Sequence, residues 1–517
     1  MNLTYDRWIP VRRADGSRES IAPWQLTEGI ASNPIVAVAS PRPDFDGALT
    51  QFLIGLLQTT CAPPDTFTWR KWRREALTSD ELRGRFSTVA HAFELEGKAA
   101  FMQDYAPAEL TNKLDISALL IEAPGEQTQE QNKDHFIKRN GVAQLCPACA
   151  AMALFSMQTN APSGGKGYRT GLRGGGPLTT LVQGKTLWET CWLNVLEQAR
   201  HLRDGETKDG ESDRFPWLAP TRISEAKPPA GITTSVDVHP DQQFWAVPRR
   251  IRLLAEVLPL PTPCDLCGAA STRIYRHFVT RNYGVNYQGF EHLLSPHYVK
   301  DGLPNPIHPQ PGGVGYRHWL GWVENSADGT RRPAKVIERF RTQTREDGRL
   351  WAFGFDMDNM KARCWYDATM PLLTVPEGMD SIFKALVEHL IQGADWAAGV
   401  LRGRVKDALL GGSDARGDLS FVQAHFWEAT EATFYEHADR LRAGLTTPQA
   451  EVPVKESWRA VLHTAALFVF DHHAQAGDFD AVDPRRLATA RNDLAKALAG
   501  KKLRDLLGLP QPTHNPA

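Results

Sequence analysis

The sequence has little of what a membrane-bound, secreted or disulfide-rich protein needs. Its 517 residues contain no run of 18 apolar residues, so we predict no transmembrane helix. The first ten residues hold charges and a tryptophan where a signal peptide would need an apolar stretch. Seven cysteines in a chain of this length fit a reducing compartment and not a disulfide framework. We therefore expect a soluble, cytoplasmic, globular protein with no membrane partner.

Net charge is also nearly absent. The 59 Lys and Arg residues are balanced by 60 Asp and Glu residues, which gives a net charge of −1. A free-standing, nonspecific DNA-binding protein usually carries a basic domain, so the composition argues against that class. It leaves open a protein that touches nucleic acid locally, as one subunit of an assembly.

Signatures of catalysis are missing as well. The sequence has no GxSxG or HExxH pattern, no GxGxxG pattern opens a helix, and its glycine-rich segment lacks the GK[ST] of a P-loop. Asp471-His472-His473 has the letters of a phosphohydrolase motif, but it ends an apolar helical segment and no second ligand set follows at suitable spacing. Histidine near a helix C-terminus is favoured by the helix dipole. The sequence therefore gives no positive evidence of an active site, and we expect no small-molecule substrate.

The chain before Pro376 mixes short apolar runs with proline and glycine breaks, which favours an α+β fold. A strand pattern leads into Asp15-Gly16, and this dipeptide suits the positive φ of a tight β-hairpin turn. Apolar residues at i, i+3 and i+4 over 46–60 predict an amphipathic helix. We assign residues 1–375 to a large mixed α/β N-terminal domain.

After Pro376 the character of the chain changes. Apolar stripes at helical spacing, joined by short turns, run through four segments that begin at Phe383, Phe421, Trp458 and Leu487. Helices with short connections pack antiparallel, so residues 378–508 are predicted to form a four-helix bundle. The C-terminal domain is therefore placed at residues 376–517.

Four of the seven cysteines form two pairs, Cys146-Pro-Ala-Cys149 and Cys264-Asp-Leu-Cys267. Each pair is spaced to hold a metal from one turn, and two pairs complete a tetrahedral thiolate site. The 114 residues between the pairs far exceed a zinc-ribbon spacing, so two unrelated reduced pairs are the alternative. A redox role is less favoured because no βαβ pattern surrounds either pair. We predict a structural zinc, since four thiolates leave no open position for water.

Residues 161–177 are rich in glycine and carry three cations, Lys166, Arg169 and Arg173. A glycine-rich backbone can approach a polyanion closely with its N–H groups. Cations interleaved with the glycines suit contact with a phosphodiester. The segment therefore predicts nucleic-acid contact, with an ordinary flexible loop as the alternative.

Four segments of the chain carry a family resemblance. They are Asn2-Leu3 with Trp8-Ile9-Pro10-Val11, the run 134–139, the run 171–175 and the run 355–363. Together they resemble CasA, the large subunit of the type I-E CRISPR surveillance complex, Cascade, and the similarity covers essentially the whole chain. The resemblance implies a mixed α/β N-terminal domain, a C-terminal four-helix bundle and no enzymatic activity.

The resemblance also implies a function and a set of partners. CasA-like subunits read the short PAM in duplex DNA, help to open the duplex for pairing with the guide RNA, and form the landing surface for the helicase–nuclease. The expected partners are other Cascade subunits, the crRNA, PAM-containing double-stranded DNA and the CRISPR helicase–nuclease. Base pairing then reads the long sequence while the protein reads a short element and shape. A zinc-containing nucleic-acid-processing enzyme is the alternative from another class.

Three loops would carry DNA recognition by this resemblance. The family's glycine loop matches Ser163, Gly164, Gly165, Lys166 and Gly167, with lysine in place of a small residue found in some members. The family's minor-groove cation falls at Arg281-Asn282, and we expect Arg281 to supply the charge because Asn282 aligns with the lysine of some members. The wedge falls at Met360, flanked by Asn359 and Lys361, and an apolar side chain suits prying a stacked step apart.

Two further assignments follow from the resemblance. Phe136 and Lys138 match the loop that docks on the crRNA 5′ end and on neighbouring subunits. Some family members hold a structural zinc through the four cysteines, which implies zinc at Cys146, Cys149, Cys264 and Cys267. Minor-groove reading is degenerate, in agreement with the tolerance for several PAM sequences expected of the family.

Overall fold

The computed structural model describes residues 1–125, 128, 130–131, 141–202, 208–225, 230–326, 328–358, 361–410, 417–475 and 483–510. Its contacts divide the chain into two compact units. Unit 1 consists of Met1–Pro309, Asn325–Thr344 and Gly348–Thr369, and unit 2 consists of Gln310–Glu324, Arg345–Asp347 and Met370–Ala517. The domain limits 1–375 and 376–517 stay a prediction beside this division by contacts.

Short strands within the described residues form five small sheets, with strand orders β2-β1-β3, β11-β10-β12, β14-β13-β5, β4-β8-β7 and β6-β9. The pair β6-β9 is parallel. The strands are β1 (Ile9–Arg13), β2 (Arg18–Ile21), β3 (Ile35–Val38), β4 (Asn112–Asp115), β5 (Thr179–Gln183), β6 (Ile232–Thr233), β7 (Arg250–Pro263), β8 (Ala270–Arg281), β9 (Asn286–Tyr287), β10 (His297–Lys300), β11 (Leu303–Pro306), β12 (Arg331–Arg332), β13 (Gly348–Asp358) and β14 (Lys361–Leu372).

Helices lie between these strands and dominate the C-terminal part. The described α-helices are α1 (Pro43–Cys61), α2 (Thr66–Arg74), α3 (Ser79–Ser87), α4 (Pro147–Asn160), α5 (Leu187–Leu193), α6 (Gln198–His201), α7 (Glu211–Arg214), α8 (Trp319–Val323), α9 (Lys335–Gln343), α10 (Asp380–Leu410), α11 (Ser420–Ala443), α12 (Glu451–Gln475), α13 (Pro484–Ala499) and α14 (Lys501–Leu506). Short 3-10 turns are found at Pro23–Thr27, Ala90–Ala92, Pro107–Glu109, Ile116–Leu119, Pro216–Leu218, Pro240–Gln243 and Tyr316–His318. Among the described residues, none of the helices combines the length and apolar character needed to cross a membrane.

The core of unit 1 is built around α1. The predicted N-terminal hairpin is confirmed, with Gly16 at φ +88° in the turn between β1 and β2. The predicted helix over 46–60 is also confirmed, but its amphipathic character is wrong, because other elements of unit 1 cover its polar residues as well. α1 is buried on nearly every side, and Phe52 at its centre makes edge-to-face contacts with Trp8, Phe93, Phe101, Phe155 and Trp245. These rings are all buried and form an aromatic cluster in the core of unit 1.

A long β-hairpin and a helix run together in unit 1. β7 and β8 pair antiparallel, with register shifts after Leu254 and Val257, and α4 packs against β8. Leu145, just before α4, exchanges two backbone hydrogen bonds with Tyr275 of β8, at 3.0 and 2.9 Å. The start of α4 is therefore fixed beside the part of β8 nearer the hairpin turn.

Unit 2 contains the four helical segments that the apolar stripes predicted. α10 packs against α11, α12 and α13, and α12 also packs against α11 and α13. Trp458 of α12 is fully buried and donates its indole N–H to Leu390 O of α10 at 3.0 Å. The ring of Tyr316 stacks on Phe434 of α11 with centroids 4.2 Å apart. Residues far earlier in the sequence thus contribute to the core of these helices.

Candidate nucleic-acid interface and metal centre

Two of the predicted DNA-contact segments meet in the structure. Segment 163–167 follows α4, and segment 281–283 begins at the last residue of β8. Asn282 Nδ2 donates a hydrogen bond to Lys166 O at 2.8 Å. We call these two segments the two-loop surface. A helix and a strand that lie side by side hold its two halves.

Glycine is required where the two segments touch. Tyr283 N donates to Gly167 O at 2.8 Å, and Gly167 has φ +80°. A Cβ on Gly167 would lie 3.0 Å from the Asn282 Cβ and 3.0 Å from the Tyr283 ring. A Cβ on Gly164 would lie 2.5 Å from the Tyr168 Cβ. Gly167 is therefore needed for the two segments to pack on each other, and Gly164 for the local turn onto Tyr168, independently of any approach by nucleic acid.

Arg281 is an exposed cation at the end of β8. Its Nη2 lies 3.2 Å from Glu225 Oε1, and the two side chains are 42% and 45% exposed. An exposed pair of this kind contributes little to stability, so the guanidinium can exchange its partner for a phosphate. Arg250, which faces Arg281 across the β7–β8 register, is instead buried and bound to Asp104 at 2.6 Å. Arg281 is therefore the member of this cross-strand arginine pair that can reach a ligand.

The cations of the glycine segment have three different environments. Lys166 is exposed, as are Ser163 and Gly165. Arg169 is half-buried and bonds to Ser224, with its Nε donating to Oγ and its Nη2 donating to the carbonyl oxygen, both at 2.7 Å. Lys166 is the cation of this segment with an exposed side chain, whereas Arg169 ties the segment to Ser224.

Arg173 is buried, with 3% of its surface exposed. Its Nη1 donates to Thr179 Oγ1 and Ser295 Oγ at 2.9 Å, and its Nη2 donates to Gln51 Oε1 at 2.5 Å. Burial lowers the pKa of Arg173 to about 9. The interpretation of Arg173 as a phosphate contact is wrong, because its donors are already used inside the core.

The third predicted segment is the tip of the β13–β14 hairpin. Asn359 and Met360 lie outside the described residues, and Lys361 is exposed at the start of β14. Below the tip, Arg363 binds Asp356 through two hydrogen bonds, Nη2–Oδ1 at 2.7 Å and Nε–Oδ2 at 3.1 Å. A bidentate pair across neighbouring strands stabilises their register.

The glycine segment also contacts this hairpin. A Cβ on Gly176 would lie 2.7 Å from the Phe355 Cβ and 2.9 Å from Met357 Cε, both on β13. The next strand in the chain, β5, pairs antiparallel with β13. One stretch of chain, 161–183, therefore leads from the two-loop surface to the hairpin.

Phe136 and Lys138 lie outside the described residues. Their role in docking on the crRNA and on neighbouring subunits stays a prediction that rests on the family resemblance.

The four cysteines of the two CxxC pairs converge. Their Sγ atoms all lie within 4.8 Å of one another, and Cys146 Sγ is 3.7 Å from Cys267 Sγ. Tetrahedral Zn–S bonds of about 2.3 Å place sulfur atoms about 3.8 Å apart. Hydrogen bonding with Cys146 and Cys264, together with burial, raises the pKa of the Cys149 thiol. The predicted convergence is confirmed, the donor set fits a thiophilic cation such as zinc, and the identity of the metal stays a prediction.

The backbone around the second pair is shaped as a tight turn. Gly268 has φ +73°, and its N–H donates to Cys264 O at 2.9 Å. The Asp265 carboxylate accepts hydrogen bonds from Ala143 N at 2.7 Å and Gln144 N at 2.8 Å. The hairpin turn is therefore bound to the chain that leads into Cys146, even before a metal is considered.

Sequence patterns did not reveal the residues that support the two-loop surface. The Arg249 guanidinium lies 4.7 Å from the centroid of the Tyr168 ring, and its Nη2 donates to Pro162 O at 2.5 Å. Burial lowers the pKa of Arg249 to about 10. Two adjacent arginines following the apolar run 244–248 were the available signal, because arginine in such a context is usually held by specific partners.

Known proteins share this architecture. A family model for CRISPR-associated protein Cse1 matches residues 2–468. CasA of Thermus thermophilus is 17% identical, with a TM-score of 0.68 over 96% of this chain and 99% of that chain. Cse1 of Thermobifida fusca is 16% identical, with a TM-score of 0.69 over 98% of each chain. A chain of a CRISPR RNA-guided surveillance complex is 17% identical, with a TM-score of 0.67 over 97% of this chain and 99% of that one.

At these identities the structural likeness establishes a shared fold, while the match over residues 2–468 establishes the family. The mixed α/β architecture with C-terminal helices, expected from the sequence, is confirmed. This protein therefore belongs to the Cse1 family of CRISPR-associated proteins, also called CasA.

Proposed function

We propose that this protein is the non-catalytic large subunit of a type I-E Cascade complex and recognises the PAM of target double-stranded DNA. The observation that carries the proposal is the two-loop surface, in which Asn282 joins two segments far apart in sequence. The likeness of the whole chain to a chain of an RNA-guided surveillance complex supports a place in such an assembly, with other Cascade subunits and the crRNA as partners. The resemblance stated from sequence supports the same role.

The two-loop surface has the chemistry of a DNA-contacting surface. It presents two exposed cations, Lys166 and Arg281, beside glycine backbone that allows a phosphate to approach closely. Contacts of this kind fix position on the duplex and read bases degenerately, as expected for minor-groove recognition of a short element. The proposed DNA contacts here are Ser163, Gly164, Gly165, Lys166, Gly167, Arg281 and Asn282.

The β13–β14 hairpin is the proposed wedge. Met360, with Asn359 and Lys361 beside it, would enter next to the first base pair to be opened. Unstacking a step costs a few kcal/mol, which new contacts to the opened strands offset. The Asp356–Arg363 pair stiffens the strands below the tip, so that binding energy is transmitted to the base step. Opening there would promote R-loop formation by the crRNA.

The remaining proposed interactions rest on the family resemblance. Phe136 and Lys138 would dock on the crRNA 5′ end and adjacent subunits, and the protein would recruit the helicase–nuclease for degradation of the target. The mutual packing of α10, α11, α12 and α13 supports a four-helix bundle as the C-terminal domain. We place the assembled complex in the cytoplasm.

Cys146, Cys149, Cys264 and Cys267 would hold a structural zinc. Four thiolates leave no open coordination position, so the ion would supply cross-linking and no chemistry on a substrate. It would join the start of α4 to the β7–β8 turn and so support the elements that carry the two-loop surface. This closed donor set favours the recognition subunit over a zinc-containing nucleic-acid-processing enzyme.

The test uses the complex assembled with crRNA and a PAM-containing duplex. Met360→Gly removes the wedge, and Gly164→Asp places a negative charge and extra bulk beside Tyr168. We expect both variants to assemble and to lose most R-loop formation, measured by permanganate reactivity of the opened strand. Gly84→Asp is the matched control, because a Cβ there meets nothing within 4 Å. Undiminished opening of the target duplex by both variants would contradict the proposal.

Two further measurements separate the alternatives. A photo-crosslink from segment 163–167 to the PAM-containing duplex excludes a pure assembly protein whose loops contact only other subunits. Metal-dependent cleavage of DNA by the isolated chain would instead favour the zinc-containing enzyme. We expect the crosslink and no cleavage.

A further inference from the structure

Three histidines that the proposed function does not use converge in unit 2. His425 lies near the start of α11, and His472 and His473 lie near the end of α12. One ring nitrogen of each lies within 4.8 Å of the others. His425 Nδ1 and His473 Nε2 are 3.1 Å apart. The missing partner of the Asp471-His472-His473 motif is thus supplied by another helix, which spacing along the sequence did not show.

The separations suit a metal bound by imidazole. Zn–N bonds of about 2.0–2.1 Å in a tetrahedral site place ligand nitrogens about 3.3 Å apart. The pair His425–His473 already has nearly this separation. His472 is exposed, so a change of its rotamer closes the remaining distance without disturbing the core. The three ring centroids lie 4.9 to 5.2 Å apart, so all three rings face one small volume.

The surroundings define the donor set. Asp471 is held by Arg491 through two hydrogen bonds, at 2.6 and 2.8 Å, and is therefore engaged away from the histidines. Within the described part of the chain the group contains three imidazoles and no carboxylate, and such donors select zinc and its late first-row neighbours over magnesium, calcium or manganese. The phosphohydrolase interpretation of the motif gains nothing from this, because its aspartate is already paired.

Two exposed aromatic rings flank the cluster. Phe421 is 48% exposed and its centroid lies 5.0 Å from that of His473, while Phe468 is 59% exposed and lies 5.9 Å from His425. Apolar rings beside a metal site exclude water from its sides and strengthen its electrostatic interactions.

We propose that His425, His472 and His473 form a second metal site, which binds Zn²⁺ through three imidazoles and leaves a fourth coordination position open. Three protein ligands with one open position differ from the closed four-cysteine cluster, so the fourth position takes water or an exogenous donor. The ion joins the start of α11 to the end of α12. The site shares no residue with the proposed DNA contacts.

The test titrates the untagged full-length chain with Zn²⁺ alone, in competition with a chromophoric chelator. Wild type is expected to bind two equivalents. His425→Gln and His472→Gln are expected to weaken one equivalent by roughly 10-fold or more, since loss even of outer-shell partners costs about 10–100-fold. His463→Gln, on α12 but outside the cluster, should leave both equivalents unchanged. Cys264→Ser should remove the other equivalent, which assigns each ion to its site.

A spectroscopic probe identifies the ligands directly. Cu²⁺ added to wild-type protein that carries one equivalent of Zn²⁺ in its cysteine cluster should show nitrogen hyperfine structure from several imidazoles in its electron paramagnetic resonance spectrum. The pattern should lose one nitrogen in His425→Gln. A single equivalent of zinc in the wild type, or a second equivalent that neither histidine variant weakens, would overturn the proposal. Circular dichroism of each variant verifies that the helices remain folded.

Discussion

The side-chain amide of Gln158 bonds to the backbone of Arg249 in both directions. Its Nε2 donates to Arg249 O at 2.9 Å, and its Oε1 accepts from Arg249 N at 3.0 Å. Gln158 is fully buried in the last turn of α4, and Arg249 directly precedes β7. Together with the Leu145–Tyr275 pairing, this fixes α4 to the β7–β8 hairpin near both ends of the helix.

Gln158→Met should therefore be strongly destabilising although it conserves volume. It leaves the backbone N–H and C=O of Arg249 without these partners, as well as Met102 O, which accepts from Gln158 Nε2 at 2.9 Å. We expect a loss of about 2–3 kcal/mol in the free energy of unfolding, measured in urea. Gln198→Met is the control, because its amide bonds to Ala62 O at an exposed position. A loss no larger than that of the control would contradict the role of Gln158.

Disruption of the cysteine cluster, which lies at the starts of α4 and β8, should affect the two-loop surface that follows their ends. Cys264→Ser is expected to lose one tightly bound zinc and lower the melting temperature by several degrees, since metal-binding energy contributes to folding. It should also weaken binding of PAM-containing duplex by the assembled complex, because the frame behind the two-loop surface loosens. Cys364→Ser, at an exposed thiol outside the cluster, should change none of these. Equal zinc content in the two variants would refute the site.

The packing of the two loops predicts a difference between neighbouring glycines. Gly167→Ala adds a methyl group 3.0 Å from Asn282 and Tyr283 at a backbone φ of +80°. We expect it to cost about 1–2 kcal/mol of unfolding free energy from the backbone conformation alone. Gly165→Ala should cost almost nothing, because its Cβ would meet nothing within 4 Å. Thermal denaturation of both variants decides the matter, and equal stability would show that the loops do not pack as described.

Arg281 and Glu225 should have opposite effects on DNA binding. Arg281→Gln should weaken the complex for all duplexes and lower the slope of log K against log salt by about 1. Glu225→Gln should strengthen binding, because it frees the guanidinium from a competing carboxylate 3.2 Å away. Glu256→Gln makes the same charge change beside Arg276 on the β7–β8 hairpin and serves as the control. If both acidic variants strengthen binding equally, the effect is one of net charge and not of this pair.

How far the sequence predicts such a site depends on the range of the interaction. The convergence of the cysteine pairs followed from coordination chemistry, because two pairs satisfy one metal wherever the chain places them. The hairpin at Asp15-Gly16 and the C-terminal helices followed from local periodicity. The hydrogen bond between Asn282 and Lys166 arises from tertiary packing alone, and no pattern within either segment predicts it.

Arg173 shows why charge and glycine content mislead. In the sequence it continues the series of cations that includes Lys166, yet its partners Gln51 and Ser295 come from distant elements and take it into the core. The sequence analysis missed His425 for a different reason. A single histidine on a helix does not indicate a metal site, and His472 and His473 come close to it only when α11 and α12 pack together.

Tyr316 shows that the core of unit 2 is built from separate segments of the chain. Its ring stacks on Phe434, its hydroxyl hydrogen-bonds to Thr430 Oγ1 at 2.8 Å, and it is fully buried although it precedes α10 by more than sixty residues. During synthesis the Tyr316 ring cannot pack against Phe434 until α11 has emerged from the ribosome. A fragment beginning at residue 376 would leave a hole against Phe434, and one ending at 375 would expose an aromatic ring. Cleavage of the chain at one position therefore cannot yield a fragment that contains all of unit 2 and nothing else.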